Sequence, residues 1–357
     1  MADSFLINLS CLPDRPTGIA IYTQNLFPHL KALNPILLTA HSVSDFTCYP
    51  VPGGMTPDEG TRGHFRRLLW TQFQLPRIYK KLRSKLLFSP LPETPLFMGC
   101  RSVVMAHDLI PLRFPQPFSR LTAYFRHYIP QVLKQAQHIV CNSHATAKDL
   151  TDFFNIPAEK ITPIWLAYDA KHFHCLDLPM GKYFLHIGRR EPYKNVSRAI
   201  EAFASLPQSL DCEFWFAGPE DQRYTPTLIE QVAALGLTER VKFLNYVPYS
   251  ELPALINQAI ALVYPSLWEG FGLPVVEAMA CGTPVVTSNC GSLREIAAGA
   301  ALLVDPYQAE EIAAAMKSLL MESGVRSRLR TQSLARASQF SWEKTGQATA
   351  AVLQKYL

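Results

Sequence analysis

Short apolar runs alternate with helix-length amphipathic patterns along the whole chain, and few folds accommodate that alternation. The runs are Phe5–Leu9, Ile36–Thr39, Leu86–Phe88, Ser102–Ala106, His138–Cys141, Tyr183–Ile187, Glu213–Ala217, Val241–Leu244, Ala261–Tyr264, Val285–Ser288 and Ala301–Val304. Several are apolar at every position, the pattern of a strand covered on both faces in a parallel sheet. Longer patterns such as Lys194–Ala204, Tyr224–Ala234, Leu252–Gln258 and Ala309–Glu322 fall between them. Strand and helix in turn predict a doubly wound α/β architecture.

A chain of 357 residues is long for one such domain and comfortable for two. The stretch Ala167–Lys182 is poorly periodic, contains Pro179 and Gly181, and divides the two series of elements. The expected organisation is an N-terminal Rossmann-like domain over 1–170 and a second over 180–340. A last helix over 341–357, with no strand after it, would cross back to the first domain. Ligands of such folds bind at the carboxyl ends of the strands, so a cleft between the two sheets is expected. No G-x-G-x-x-G string follows any strand, which argues against a dinucleotide enzyme.

Residues 264–288, YPSLWEGFGLPVVEAMACGTPVVTS, carry the most chemistry. The segment leaves a strand, crosses a loop with Gly270, Phe271, Gly272 and Leu273, and enters a helix at Pro274. Proline suits a helix start, and helix amino ends attract phosphate. Glu277 is expected in the first turn, where its carboxylate could accept hydrogen bonds from a ribose diol. Glu269 lies before the loop, within reach of a sugar beyond a diphosphate. On spacing alone, Glu277 could equally serve the helix dipole.

The whole string resembles the E-x7-E signature of retaining glycosyltransferases of the GT-B fold, in particular glycosyltransferase family 4. The likeness continues through Gly282, Pro284 and SNCGSLREIAAGAALLVDP, and in weaker form covers the chain from about residue 5 to its end. It implies two Rossmann-like domains facing across a cleft, with acceptor bound by the first and nucleotide sugar by the second. In FLHIGRREPYKN, Gly188 ends a strand, and the resemblance implies a basic pair here on the donor diphosphate. Lys194 fits one member. Many relatives have arginine where this chain has Tyr193, so Arg189 or Arg190 would supply the other. In VVMAHDLIP, the resemblance gives His107 contact with the transferred sugar, and Asp108 would orient local backbone or acceptor. Gly18, preceded by Thr17, matches part of a glycine-rich turn on the acceptor and donor phosphate. Asn142 and Ser143 match the end of the first domain; they would line the cleft, or Ser143 would cap a helix.

The expected reaction is retaining transfer of a hexose from a nucleoside diphosphate sugar, GDP-mannose favoured, to a glycan or lipid-linked glycan hydroxyl. His107 and Glu269 are the expected catalytic residues, and cations replace a metal ion at the diphosphate. No cofactor and no metal ligand set is expected. The principal alternative is a non-catalytic sugar-nucleotide-binding subunit of a glycan-assembly complex. A lectin would need an all-β pattern, and a phosphorylase-like enzyme a longer chain and a pyridoxal lysine.

Composition adds the setting. No apolar stretch is long enough to cross a bilayer, and the amino end, MADSFLINLSCLPD, lacks a basic n-region, so a cytoplasmic protein is expected. Eight scattered cysteines without a C-x-x-C pair suggest neither a disulfide framework nor a zinc site. Residues 1–175 hold 18 lysines and arginines against 11 acids, while the remainder holds 16 against 18. Within that excess, Arg62, Arg66, Arg67, Arg77, Lys80, Lys81, Arg83 and Lys85 follow one another with no acid between them. They form either a solvated helix face or a patch for the anionic inner face of the plasma membrane. Nothing in the sequence suggests nucleic acid as a partner.

Overall fold

The structure is a computed structural model and describes residues 4–12 and 18–357. Thr17 and the residues just before it lie outside that description. Strands β1 (Ser4–Asn8), β2 (Pro35–Thr39), β3 (Thr47–Pro50), β4 (Ser84–Ser89), β5 (Ser102–Ala106), β6 (His138–Cys141) and β7 (Ile161–Pro163) make a 7-stranded sheet, ordered β3-β2-β1-β4-β5-β6-β7. Strands β8 (Tyr183–Ile187), β9 (Glu213–Ala217), β10 (Val241–Leu244), β11 (Ala261–Tyr264), β12 (Val285–Ser288) and β13 (Leu302–Val304) make a 6-stranded sheet, ordered β10-β9-β8-β11-β12-β13. Every neighbouring pair in both sheets is parallel. This is the doubly wound α/β architecture expected from the alternation.

Burial explains the strand sequences. Leu86, Leu87, Val103 and Val104 are buried in the first sheet, as are Phe184, Leu185, Leu262 and Val263 in the second, so both faces of these strands are dry. In the second sheet the helices Val196–Ala204 and Ala309–Met321 cover one face, placing Ala199, Phe203, Ile312 and Met316 against Phe214, Phe216 and Val263. At roughly 25 cal/mol per Å² of apolar surface, such layers are the main favourable term in folding.

The chain divides into two compact units, Met1–Leu166 with Trp342–Leu357, and Ala167–Ser341. The stretch read as a linker therefore groups with the second unit. Side-chain anchors account for this: His172 stacks on Tyr249 at 4.1 Å, Phe173 is buried, and the Leu176 amide donates to Asn257 Oδ1 at 2.7 Å. The last helix, Trp342–Gln354, packs within the first unit, where Thr345 Oγ1 donates to the Trp165 carbonyl at 2.7 Å.

Because all strands in each sheet run one way, each unit has a single carboxyl edge. In the second unit the chain winds outward from β8 to β10, then returns to the other side of β8 with β11. The loops after β8 and β11 thus diverge from one point, the crevice where such sheets take ligands.

Candidate active site

Lys194 is positioned by the loop after β8. It lies in a 3-10 turn, Pro192–Lys194, and Asn195 (φ 61°) then enters the helix Val196–Ala204 through a left-handed conformation. Lys194 therefore precedes the helix it was expected to begin. Asn195 is buried and donates from Nδ2 to the carbonyls of Pro265 (3.0 Å) and Pro306 (2.6 Å). The Leu267 amide donates to the Tyr193 carbonyl at 2.7 Å. These bonds tie the β8 loop to the one that follows β11.

That second loop is held from beneath by hydroxyls after and along β12. Thr287 donates to the Tyr264 carbonyl (2.9 Å), Ser288 to that of Ser266 (2.6 Å) and Ser292 to that of Glu269 (2.8 Å). Glu269 is thereby fixed beside Lys194, whose Nζ donates to Glu269 Oε1 at 2.7 Å and to Tyr264 Oη at 2.8 Å. Both side chains of the ion pair are about a tenth exposed, at 11% for Lys194 and 9% for Glu269. The ammonium also sits 5.2 Å from the ring centroids of both Tyr193 and Tyr264. Burial opposes its charge, but Glu269 and its acidic neighbours outweigh that cost and hold its pKa above the ordinary lysine value. Lys194 is a cation at every physiological pH.

Two glycines make room at this edge. Gly188 (φ 145°) follows β8, and a Cβ there would approach nothing closer than Lys194 Cε at 3.9 Å. Gly218 (φ 148°) follows β9, where a Cβ would come within 2.1 Å of the Gly188 carbonyl oxygen. Of the two arginines left open by the sequence, Arg190 turns inward. It donates to Thr225 Oγ1 at 3.1 Å, lies over the Phe243 ring, and burial lowers its pKa. Arg189 stays outside, 69% exposed and 3.8 Å from Glu191, so its guanidinium is the accessible one.

The loop Gly270–Gly272 is buried, with Phe271 edge-on to Phe340 at 5.9 Å. Gly272 (φ 108°) caps the helix Leu273–Ala280, and a Cβ there would meet Leu293 Cδ2 at 2.7 Å, so glycine is required. The helix starts at Leu273, one residue before Pro274, which places Glu277 beyond the first turn, contrary to expectation. Its carboxyl consequently gains little from the helix amino end. Burial alone pushes it up to about 7.

In the first unit, His107 follows β5 directly at the carboxyl edge. Its Nε2 lies 2.9 Å from the Pro90 carbonyl, and its ring stands edge-on to Tyr22 at 5.1 Å. A carbonyl can only accept, so Nε2 carries the proton and Nδ1 keeps its lone pair. Burial lowers the ring's pKa to about 4, making His107 a neutral acceptor at physiological pH. Asp108 Oδ1 accepts from the Ile110 amide at 3.0 Å, a local backbone role. Ser143 caps the helix His144–Phe154 by accepting from the Thr146 amide at 3.0 Å, and buried Asn142 accepts from Thr146 Oγ1 at 3.0 Å. The capping alternative thus holds for Ser143. Gly18 opens the helix Gly18–Leu26, and a Cβ there would meet nothing within 4 Å, so no close approach among the described residues demands a glycine.

The structure therefore gathers Gly188, Lys194 and Glu269 at the carboxyl edge of the second sheet, with Gly270–Leu273 and Glu277 following on from Glu269. Tyr264, His186 and the β12 hydroxyls join them without being evident as site residues in the sequence. His186 is 1% exposed on β8, donates from Nδ1 to the Val263 carbonyl at 3.0 Å, and stacks on Tyr264 at 5.4 Å. A tyrosine and a histidine near the carboxyl ends of mostly apolar strands, where sheets of this kind take ligands, are the available signal. Among the described residues, no three His, Cys, Asp or Glu side chains group as a metal ligand set.

Comparison with known proteins defines the class. Residues 16–172 match Glycosyltransferase Family 4, and residues 174–336 match Glycosyl transferases group 1. O-antigen chain mannosyltransferase RfbU of Salmonella typhimurium is 31% identical over 326 residues, 88% of this chain and 90% of that one. O-antigen chain mannosyltransferase B of Escherichia coli is 32% identical over 257 residues, 68% of this chain and 67% of that one. Among solved structures, sucrose-phosphate synthase from Thermosynechococcus elongatus superposes with a TM-score of 0.79 at 18% identity, covering 99% of this chain and 98% of the other. Anabaena HepE, solved with UDP-glucose, gives 0.77 at 18% identity, covering 99% of each chain. The fold and the matched families define a glycosyltransferase of the GT-B fold. Within that class, the chain belongs to glycosyltransferase family 4.

Proposed function

We propose that this enzyme transfers a hexose from a nucleoside diphosphate sugar to a glycan or lipid-linked glycan hydroxyl, with retention and without a metal ion. The observation that carries the reading is the Lys194 ammonium. It is held charged at the crevice between β8 and β11, beside two glycines that open the backbone. As the sugar–phosphate bond breaks, negative charge builds on the departing diphosphate, and a fixed cation in a water-poor site stabilises that charge. Arg189, accessible at the same edge, is its natural partner. Glu277 is suited to the ribose hydroxyls and Glu269 to the sugar. His107, with a free lone pair at Nδ1, would accept a hydrogen bond from a substrate hydroxyl.

The mannosyltransferase relatives favour GDP-mannose as donor and a surface polysaccharide as product. The test is binding and slow hydrolysis of a panel of nucleotide sugars in EDTA, by wild type and Lys194→Ala. One donor bound and hydrolysed by wild type, with both lost in the variant, is expected. Dependence on added divalent cation would sink the metal-free mechanism, binding without hydrolysis would favour the non-catalytic sugar-nucleotide-binding alternative, and no binding by folded protein would count against both.

The basic segment of the first unit supports attachment to an anionic membrane from the cytoplasmic side. On the helix Gly60–Phe73, Arg62, Phe65, Arg66, Leu69 and Phe73 are all exposed, and at 100° per residue they share one face. Arg77, Lys80, Lys81, Arg83 and Lys85 beyond it are exposed too. Arg67 is a correction to the sequence reading. It turns inward, donating to both oxygens of Glu93 at 2.6 and 2.9 Å, because a long arginine stem at that helical position points into the core. No helix among the described residues is long and apolar enough to cross a membrane. Cations flanking an apolar stripe suit anionic headgroups. In vesicle flotation, wild type should float with anionic lipid, and Phe65→Ser with Arg66→Glu should abolish this. Equal recovery on neutral vesicles would exclude the electrostatic docking.

A further inference from the structure

Four segments beyond the carboxyl ends of the first sheet meet on the buried ion pair Arg67–Glu93. Glu93 follows β4. Arg67, on the helix Gly60–Phe73, donates to both its oxygens and, from Nη1, to the carbonyl of Met55 in the loop after β3, at 2.7 Å. The Cys11 thiol, after β1, lies close enough to feel both charges. Tyr124, on the helix Arg120–His127 beyond β5, donates from Oη to Glu93 Oε1 at 2.8 Å. In this sheet β1 lies between β2 and β4, so the winding reverses there, and these loops border the crevice where such sheets take ligands.

Burying two charges is expensive, and what this pair supports is His64. Arg67 Nη2 lies 2.9 Å from His64 Nδ1. A guanidinium has only protons to give, so Nδ1 accepts and the ring's proton is on Nε2. Tyr124 stands edge-on to the imidazole at 4.8 Å and fixes its plane. The arginine and glutamate side chains are 6% and 3% exposed, the histidine 33%. The two nitrogens of an imidazole point to opposite sides of the ring, so the Nε2–H is directed away from the buried pair. It has no partner among the described residues.

The β4 loop also reaches the candidate site. Its Pro90 carbonyl accepts from His107 Nε2, and its Glu93 stands behind His64. Three residues of chain span at most about 11 Å, and the Glu93 amide, bonded back to the Leu91 carbonyl at 2.7 Å, tightens the loop further. His64 and His107 therefore flank one short loop, close enough for a single bound glycan to touch both. The exposed cations Arg62 and Arg66 are each two residues from His64, about 200° round the helix, so the cationic stripe faces elsewhere. A neutral N–H away from that stripe suits an uncharged oxygen.

We propose that His64 determines acceptor specificity: its Nε2–H, fixed by the Arg67–Glu93 pair, donates a hydrogen bond to a hydroxyl oxygen of the acceptor glycan. That the bound sugar is an acceptor rests on the proposed function; that His64 binds a sugar does not.

The test is nitrogen NMR of the full chain labelled in its histidine rings, with His64 assigned through His64→Gln. In ligand-free protein at pH 7, His64 should show the neutral Nε2–H form; the Nδ1–H form or an imidazolium would overturn the geometry. The probes are the methyl α-glycosides of mannose, glucose, galactose and N-acetylglucosamine. At least one should shift the His64 Nε2 signal saturably and leave that of exposed His174, in the second unit, unmoved. His64→Ala should weaken that glycoside by about tenfold, the loss of one hydrogen bond. His64→Gln, whose amide also donates, should recover most of the loss, and equal weakening by both variants would overturn the donor role. The titration needs no nucleotide sugar, so the two readings fail separately. A protein that binds a glycoside at His64 but no nucleotide sugar would lose the glycosyl-transfer reading and keep the sugar site. One that hydrolyses a nucleotide sugar while His64 responds to none of the four glycosides would keep that reading and overturn this inference.

Discussion

Lys194→Ala should lower kcat/KM by about 10²–10³-fold, the usual cost of removing one preorganised group that meets charge developing in the transition state. It should also destabilise the protein, and the two effects have different origins. The ion pair with Glu269 is nearly dry, and deleting one member of such a pair costs about 3–5 kcal/mol because the other charge remains buried. Loss of activity in the alanine variant alone would thus be ambiguous. The combination Lys194→Met with Glu269→Gln removes both charges and keeps both volumes, so it should recover most of the lost Tm. It should recover none of the activity. Thermal unfolding and initial rates measured on the three proteins separate the roles, and activity restored in the double variant would remove Lys194 from the mechanism.

Most of this architecture is legible from hydrophobic runs. Strands buried on both faces, such as Ser102–Ala106 and Val285–Ser288, announce themselves because every position is apolar or small. The two strands that escape notice, β3 (TCYP) and β7 (ITP), are the two edges of the first sheet. An edge strand pairs on one side only, so it can be short, partly exposed and carry proline, and its sequence loses the strand signature. Helix starts are blurred for a related reason. Lys194 belongs to the periodic pattern of the following helix, yet Asn195 takes a left-handed conformation because its side chain bonds the Pro265 and Pro306 carbonyls, which lie far away in sequence.

The site is legible where chemistry lies in a local string, as in the loop around Gly272, and illegible where it depends on pairing across the fold. No spacing rule links Tyr264 to Lys194 or His186. Their meeting depends on β8 and β11 being neighbours, which sheet order decides. Arg67 shows the same limit from the other side. In the sequence it is one of eight cations, and only the distant Glu93 distinguishes it from its neighbours.

Glu277→Gln should make the ligand-free protein more stable and the enzyme worse. Glutamate in an unfolded chain titrates near 4.5, whereas burial pushes Glu277 up to about 7. The folded protein therefore binds the extra proton between those values, and stability falls as pH rises through that window. Below 4.5 the carboxyl is neutral in both states and the penalty is absent; above 7 it is fully present. A carboxyl whose titration midpoint rises by one pH unit on folding costs about 1.4 kcal/mol once ionised. Partial exposure of Glu277 screens some of that cost, leaving a penalty on the order of 1–2 kcal/mol. Glutamine carries no such charge, so the variant's Tm should exceed that of wild type at pH 8 and match it near pH 4.5. Donor binding should move the other way. Two ribose hydroxyls donating to the carboxylate favour its charged form, so wild-type affinity should weaken as pH drops below 7, with a proton released on binding. In the glutamine variant, affinity should be lower by about tenfold or more, from the loss of hydrogen bonds to a charged group, and insensitive to pH over the same range. Calorimetry at pH 5.5, 7 and 8.5 in two buffers of different ionisation enthalpy measures both quantities, and wild-type binding without proton release would detach Glu277 from the donor.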